Sequence, residues 1–172
     1  MCGRAGAGFA TVRHMDAVLH APVPDRTRAN TWPEVNSRLD ARTQLRLRAA
    51  AATVSVDEIT GLMTRLDHEW NFDRVLETEA SVMGLLGLML GLTVNRRMLA
   101  LPAVVSSMMI LHATLGWYPL LPLFRRVGVR TQDEIDRERY ALKAMRGDFT
   151  ALPPPSSPAD ERAAAAWKAV CA

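Results

Sequence analysis

Between Ala80 and Phe124 the chain carries no full charge except Arg96 and Arg97. So long an apolar stretch cannot form the surface of a small soluble protein, and it therefore constrains everything around it. The Asn95-Arg96-Arg97 break divides it into a shorter first run, Ala80 to Val94, and a longer second, Met98 to Phe124. A bilayer's hydrocarbon core of roughly 30 Å takes about 20 helical residues at about 1.5 Å each. The second run is long enough alone. The first comes close to spanning length when extended back to Leu76, with Glu77 and Glu79 at headgroup level and Arg96 and Arg97 snorkelling at the other end. The expected fold is an all-α membrane protein: a two-helix transmembrane hairpin, with spans at about 76–94 and 98–120, flanked by cytoplasmic amphipathic helices. The rival is a soluble bundle with both runs as core helices, but neither run carries the charged stripe that a surface helix needs.

Every other charged side chain lies outside that stretch. A mean hydropathy of zero thus averages two unlike parts. A chain of 172 residues is one domain's worth, which excludes a large multidomain enzyme. Its two cysteines, Cys2 and Cys171, are too few and too terminal for a disulfide framework, and they lack zinc-knuckle or redox-pair spacing. Sidedness follows from the basic residues, which resist translocation. Arg65 and Arg74 precede the first span, and Arg125, Arg126, Arg130, Arg137, Arg139, Lys143 and Arg146 follow the second, nine against the two in the turn. Both termini are expected in the cytoplasm. Positions 1–30 carry no apolar run of the signal-peptide kind, so insertion is expected to begin with the spans.

Outside the apolar block the chain reads as helices with start signals. Thr31-Trp32-Pro33-Glu34, Ser55-Val56-Asp57-Glu58 and Thr131-Gln132-Asp133-Glu134 are capping-box patterns. The first opens a basic helix through Arg38, Arg42, Arg46 and Arg48. The second has an apolar face of Ile59, Leu62, Met63, Leu66 and Trp70, and the third one of Ile135, Leu142 and Met145, ending near Gly147. The expected organisation is a disordered arm over 1–30, a cytoplasmic helical region over 31–74 and the hairpin over 75–130. A cytoplasmic helix over 131–149 and a Pro-rich linker with a short, loosely attached helix over 150–172 complete it. The strong preference for Arg over Lys, with abundant Ala, has the cast of a GC-rich bacterial genome.

Within the first run Ala80, Gly84, Gly87 and Gly91 share one helix face, and Gly87 and Gly91 have the spacing that lets two membrane helices approach closely. Ala103, Ser106, Ser107, Ala113 and Thr114 give the second run a comparable face. The neighbouring span is the simplest partner, and a homodimer through the glycine face is the alternative. The second run closes with Gly116-Trp117-Tyr118-Pro119, then Leu120-Leu121-Pro122-Leu123 and a basic stretch from Arg125 to Arg130. Trp117 and Tyr118 suit the headgroup boundary, and Arg125 and Arg126 suit anchors near anionic lipid, as Arg96 and Arg97 do at the other end. From Val75 to Arg130 the chain resembles the transmembrane domain of YgaP-like bacterial inner-membrane proteins, a domain of unknown function whose closing pattern is Gly-Trp-Cys-Pro, a few apolar residues, then Gly-Ile or Gly-Val. The resemblance implies a two-helix hairpin in a bacterial cytoplasmic membrane. Tyr118 stands where that pattern has Cys, so the thiol chemistry of relatives fused to sulfur-transfer domains has no nucleophile at this position.

His112 is the sole group within a span that titrates near neutrality, and ionisable groups at such depth are functional candidates. Met108 and Met109 precede it by about a turn, so a proton step or a soft-metal site can be drawn. The plainer reading is a neutral imidazole bonded to Thr114, to a backbone carbonyl or to a lipid headgroup. With His14, His20 and His68 elsewhere, no multi-His metal site is expected, and no cofactor. No catalytic pattern is found. The basic helix through Arg48 lacks the interleaved aromatics of a nucleic-acid surface, so the expected partners are a bilayer with anionic headgroups and a membrane protein or second copy. The leading expectation is a small non-enzymatic, membrane-anchored interaction or accessory subunit. The alternative is a proton- or metal-linked transport or redox accessory centred on His112.

Overall fold

The structure is a computed structural model that describes residues 25–171 apart from Val54. The expected disorder of residues 1–24 lies outside the described residues. Among those described the chain is all-helical. The helices are α1 (Arg26–Ala29), α2 (Pro33–Thr53), α3 (Val56–Asp67), α4 (Phe72–Thr93), a 3-10 turn (Arg96–Leu99), α5 (Ala100–Leu115), α6 (Leu121–Val127), α7 (Gln132–Arg146) and α8 (Ala159–Cys171).

Two of the three capping boxes form. Ser55 Oγ accepts from Glu58 N–H while the Glu58 carboxylate accepts from Ser55 N–H, and Thr131 and Glu134 repeat the exchange at the start of α7. Thr31 does not. Its hydroxyl donates to the Thr27 carbonyl at 2.7 Å and accepts from Arg125 Nε, so a tertiary contact has taken the oxygen that a cap would use. Residues 25–30, expected in the disordered arm, are instead ordered as α1: Asp25 caps it through Arg28 N–H at 2.8 Å.

Within α4 and within Arg96–Leu115 (20 residues) lie segments long and apolar enough to cross a membrane. They pack antiparallel. At the turn, Asn95 Oδ1 accepts from Arg97 N–H and opens the 3-10 turn, and Pro102 occupies the first turn of α5, where a missing N–H costs nothing. A Cβ added at Gly91 would come within 2.5 Å of Leu99 Cδ2, and one at Gly87 within 2.6 Å of Pro102 Cδ, so these glycines are where the two helices touch. Within this chain the glycines meet the neighbouring apolar helix, but not through the small face proposed for it. Ala103, Ser106, Ser107, Ala113 and Thr114 are all exposed, and it is bulky Leu99, Leu101 and Pro102 that fill the space the glycines leave. Gly84 is a second correction to the packing face: nothing lies within 4 Å of a Cβ placed there.

The second apolar helix is also shorter than the expected span. α5 ends at Leu115 because Gly116 takes a left-handed backbone (φ 72°) and donates its N–H to the His112 carbonyl at 2.7 Å. Pro119 three residues on bars a return to helix until Leu121. Hydropathy does not register that stop.

Beyond the hairpin the remaining helices form a cap. α2, α3 and α7 share a core of Ala50, Ile59, Met63, Leu66, Ile135 and Leu142. A second cluster of Phe72, Leu76, Tyr118 and Leu121, with Met108, Met109, Phe124 and Val129 against it, joins the cap to the open end of the hairpin. α8 is held at its C-terminal end, where the buried Lys143 ammonium donates to the Val170 carbonyl at 2.7 Å. Most of its length is exposed.

Candidate functional site

The junction between hairpin and cap gathers the polar groups that the apolar runs bring into reach. Asn71 caps α4 by accepting from Arg74 N–H at 2.7 Å, and Phe72 N–H donates to the Arg130 carbonyl at 2.7 Å, so the start of α4 is tied to the segment before α7. This places Asp73 opposite His112, one turn before the end of α5. His112 Nε2 lies 3.4 Å from Asp73 Oδ1, and its ring packs against Phe72 at a centroid distance of 5.4 Å. Nδ1 is buried without a hydrogen-bond partner. The imidazole is therefore bonded to neither Thr114 nor a backbone carbonyl, correcting that expectation. Thr114 Oγ1 turns to the Ile110 carbonyl instead, at 2.9 Å. His112 also sits at the end of its helix, where a carboxylate can reach it, and not at mid-span.

A cavity of about 390 Å³ opens beside this pair, lined by Asp25, Arg26, Asp73, His112 and the first residues of α7. Its floor is the C-terminal end of α5. Arg26 Nη1 donates to the carbonyls of Ala113 and Thr114 at 3.2 and 3.0 Å, and the Asn30 amide donates to that of Leu115 at 3.0 Å. Three carbonyls that the helix cannot satisfy by itself are thus covered by α1. Chemically, the pair of imidazole and carboxylate can hold or pass a proton. Among the described residues no group of three or more His, Cys, Asp or Glu could hold a metal ion. Met108 and Met109 pack on the Phe72 cluster.

The remaining site expectations divide. Arg96 and Arg97 are exposed at the turn, and Arg126 is exposed with its guanidinium 4.8 Å from the Trp32 ring centre. Trp117 is exposed. Tyr118 is not a headgroup anchor: it is buried, and its hydroxyl donates to Glu79 Oε2 at 2.6 Å. Arg125 is not an anchor either. Its side chain is 0% exposed and makes a two-pronged contact with Glu134 at 2.7 and 2.6 Å, while also donating to Thr31, Asn36 and the Val129 carbonyl.

Arg125 belongs to a layer of ion pairs that the sequence reading missed. Arg28 bridges Asp40 and Glu134. Arg130, also buried, holds Glu138 and, at 2.5 Å, Glu69, while Arg46 reaches Glu138 at 2.8 Å. Burial alone pushes the Glu134 carboxyl up, but the Arg125 guanidinium, the Thr131 N–H and Arg28 together hold it below the usual carboxylate range. Glu138 is likewise lowered, burial being outweighed by Arg46 and Arg130. The signal was present in the third capping box: Glu134 and Glu138 share the α7 face of Ile135 and Leu142, and carboxylates on a core-facing stripe require buried cations. Compared with protein-family models, curated proteins and solved structures, the chain matches none.

Proposed function

We propose that this chain is a small bilayer-anchored accessory or interaction subunit, non-enzymatic, with α4 and α5 as a transmembrane hairpin and the helical cap as its contact surface. One observation carries the reading. No residue of α5 is buried, and α4 leaves Val82, Leu85, Leu86, Leu88, Met89 and Leu92 exposed, whereas the cap buries a core of Ala50, Ile59, Met63, Leu66, Ile135 and Leu142 and the ion pairs of Arg125 and Arg130. Facing water, so large a patch would drive aggregation; facing lipid, it needs no other partner. The uncharged helical stretch from Ala80 to Thr93 makes about 21 Å of helix against a hydrocarbon core of roughly 30 Å. Glu79 and Arg96 then snorkel or the bilayer thins locally.

The excess of basic residues at the cap end supports a cytoplasmic cap with both termini on that side, and the resemblance over Val75 to Arg130 supports a bacterial inner membrane. Cysteine labelling of cells tests this sidedness. With Cys2 replaced by Ser, the exposed Cys171 is expected to react with a membrane-impermeant maleimide only after permeabilisation, and Asn95→Cys in the turn in intact cells. The reverse pattern refutes the orientation.

A second reading has one observation in its favour, the buried and unpartnered Nδ1 of His112 beside Asp73, which suits a proton-linked step. His112→Leu separates the two. An anchor keeps its abundance and phenotype, whereas loss of phenotype at normal abundance favours the proton-linked reading.

A further inference from the structure

Three of the chain's four tryptophans stand at the open end of the hairpin, and all three are exposed. Trp70 immediately precedes Asn71, the cap of α4, and Trp117 follows Gly116, the cap of α5, so the antiparallel packing puts both at one level. Trp32 is brought to that level by Asn30, whose amide bonds the Leu115 carbonyl. Two of the rings carry an arginine: Arg74 lies 4.6 Å from the centre of Trp70 and Arg126 4.8 Å from that of Trp32. Among the described residues neither guanidinium has a carboxylate partner, in contrast to Arg28, Arg125 and Arg130 within the cap. A guanidinium stacked on an indole keeps its in-plane N–H groups free for a planar or tetrahedral anion.

Beside these rings runs α6. Its inner side is Leu121 and Arg125, both buried, and its outer side is Leu120, Leu123 and Val127, exposed at steps of three and four. That outer stripe starts five residues beyond the end of α5 and continues the apolar surface of the hairpin.

We infer that this end of the molecule is a collar that docks on the phospholipid headgroups of the leaflet the hairpin enters. α6 lies along the bilayer surface with Leu120, Leu123 and Val127 at the level of the first acyl carbons. The three indoles occupy the headgroup layer, where amphipathic rings are favoured, and Arg74 and Arg126 bind lipid phosphates. The occupant is lipid because the apolar stripe is continuous with the hairpin surface and the free cations match phosphate. The inference rests on the membrane reading above, and its test keeps the two apart.

Single-tryptophan variants of the full chain, retaining Trp32, Trp70 or Trp117 with the other tryptophans replaced by Phe, are reconstituted in phosphatidylcholine–phosphatidylglycerol vesicles brominated near the headgroup or deep in the acyl chains. A Trp-free variant carrying Leu86→Trp reports the hairpin. The collar tryptophans are expected to be quenched about twofold more by shallow than by deep bromine, and Leu86→Trp the reverse. If Leu86→Trp is quenched while the collar tryptophans are untouched, the collar is overturned and the hairpin stands, leaving a protein as the occupant of that face. Deep quenching of the collar overturns it as well, by placing it inside the span. If no variant is quenched, both readings fall.

Discussion

Arg125 and Arg126 are neighbours after the same apolar run, yet the fold turns them in opposite directions. Composition and the positive-inside pattern treat them alike, which is why the burial of Arg125 was not legible: it depends on Glu134, nine residues on and across the left-handed turn at Gly128. Arg125→Met is expected to destabilise the cap by about 3–5 kcal/mol, because it strands a buried carboxylate. Arg126→Met, on the surface, should shift stability by less than about 0.5 kcal/mol. Denaturant unfolding in mild detergent followed by near-ultraviolet circular dichroism checks both, and equal effects would refute the buried pair. A cycle with Glu134→Gln should give a coupling of about 1–3 kcal/mol. The glycines make a second residue-scale case. Their shared face was readable from spacing, but which of them touch was not, since spacing ranks Gly84 with Gly87. The contacts rank them differently. Gly84→Ala should be tolerated, whereas Gly87→Ala and Gly91→Ala should both cost stability, the first because the Pro102 ring and the Leu101 Cβ stand in the way and the second because the Leu99 backbone nitrogen lies 3.1 Å from the added Cβ even when its side chain swings aside. Thermal unfolding in detergent micelles gives the order, and an equal loss at Gly84 would contradict it.

Element starts were legible where the signal is local. The boxes at Ser55 and Thr131 need only a short run of backbone and two side chains, and both form. Thr31 shows the limit of such a signal, because the competing partners of its hydroxyl, the Thr27 carbonyl and Arg125, enter only with the tertiary fold. The end of α5 shows another. Residues 116–120 are as free of charge as the span before them, but Gly116 and Pro119 end the helix through backbone geometry. α1 depends on that end. A Cβ at Gly116 would lie 2.2 Å from Arg26 Cβ, and its φ of 72° is unfavourable for any other residue by roughly 1–2 kcal/mol. Gly116→Ala is therefore expected to lift α1 from the end of α5 and speed tryptic cleavage after Arg28. Unchanged cleavage would mean that α1 is not seated there.

For the whole molecule, the two-part division into apolar hairpin and charged cap was visible in where the charges fall; how the cap closes was not, because its ion pairs join residues from α1, α2, α6, α7 and the connecting segments. That closure carries a pH dependence. Glu134 and Glu138 have folded pKa values lowered below the unfolded value of about 4.3, so their contribution is fully present above that pH and is lost as pH falls through the folded values. Cap stability is expected to be flat from about pH 6 to 8 and to fall steeply below about pH 4, as read by near-ultraviolet circular dichroism in a detergent that does not titrate. The Arg125→Met and Glu134→Gln pair should flatten that fall. The hairpin makes the larger claim, and alkaline carbonate extraction of membranes from cells expressing the full chain tests it most directly. The account predicts that the protein stays in the pellet and leaves it only with detergent. Release as an intact, monodisperse, detergent-free particle would contradict it.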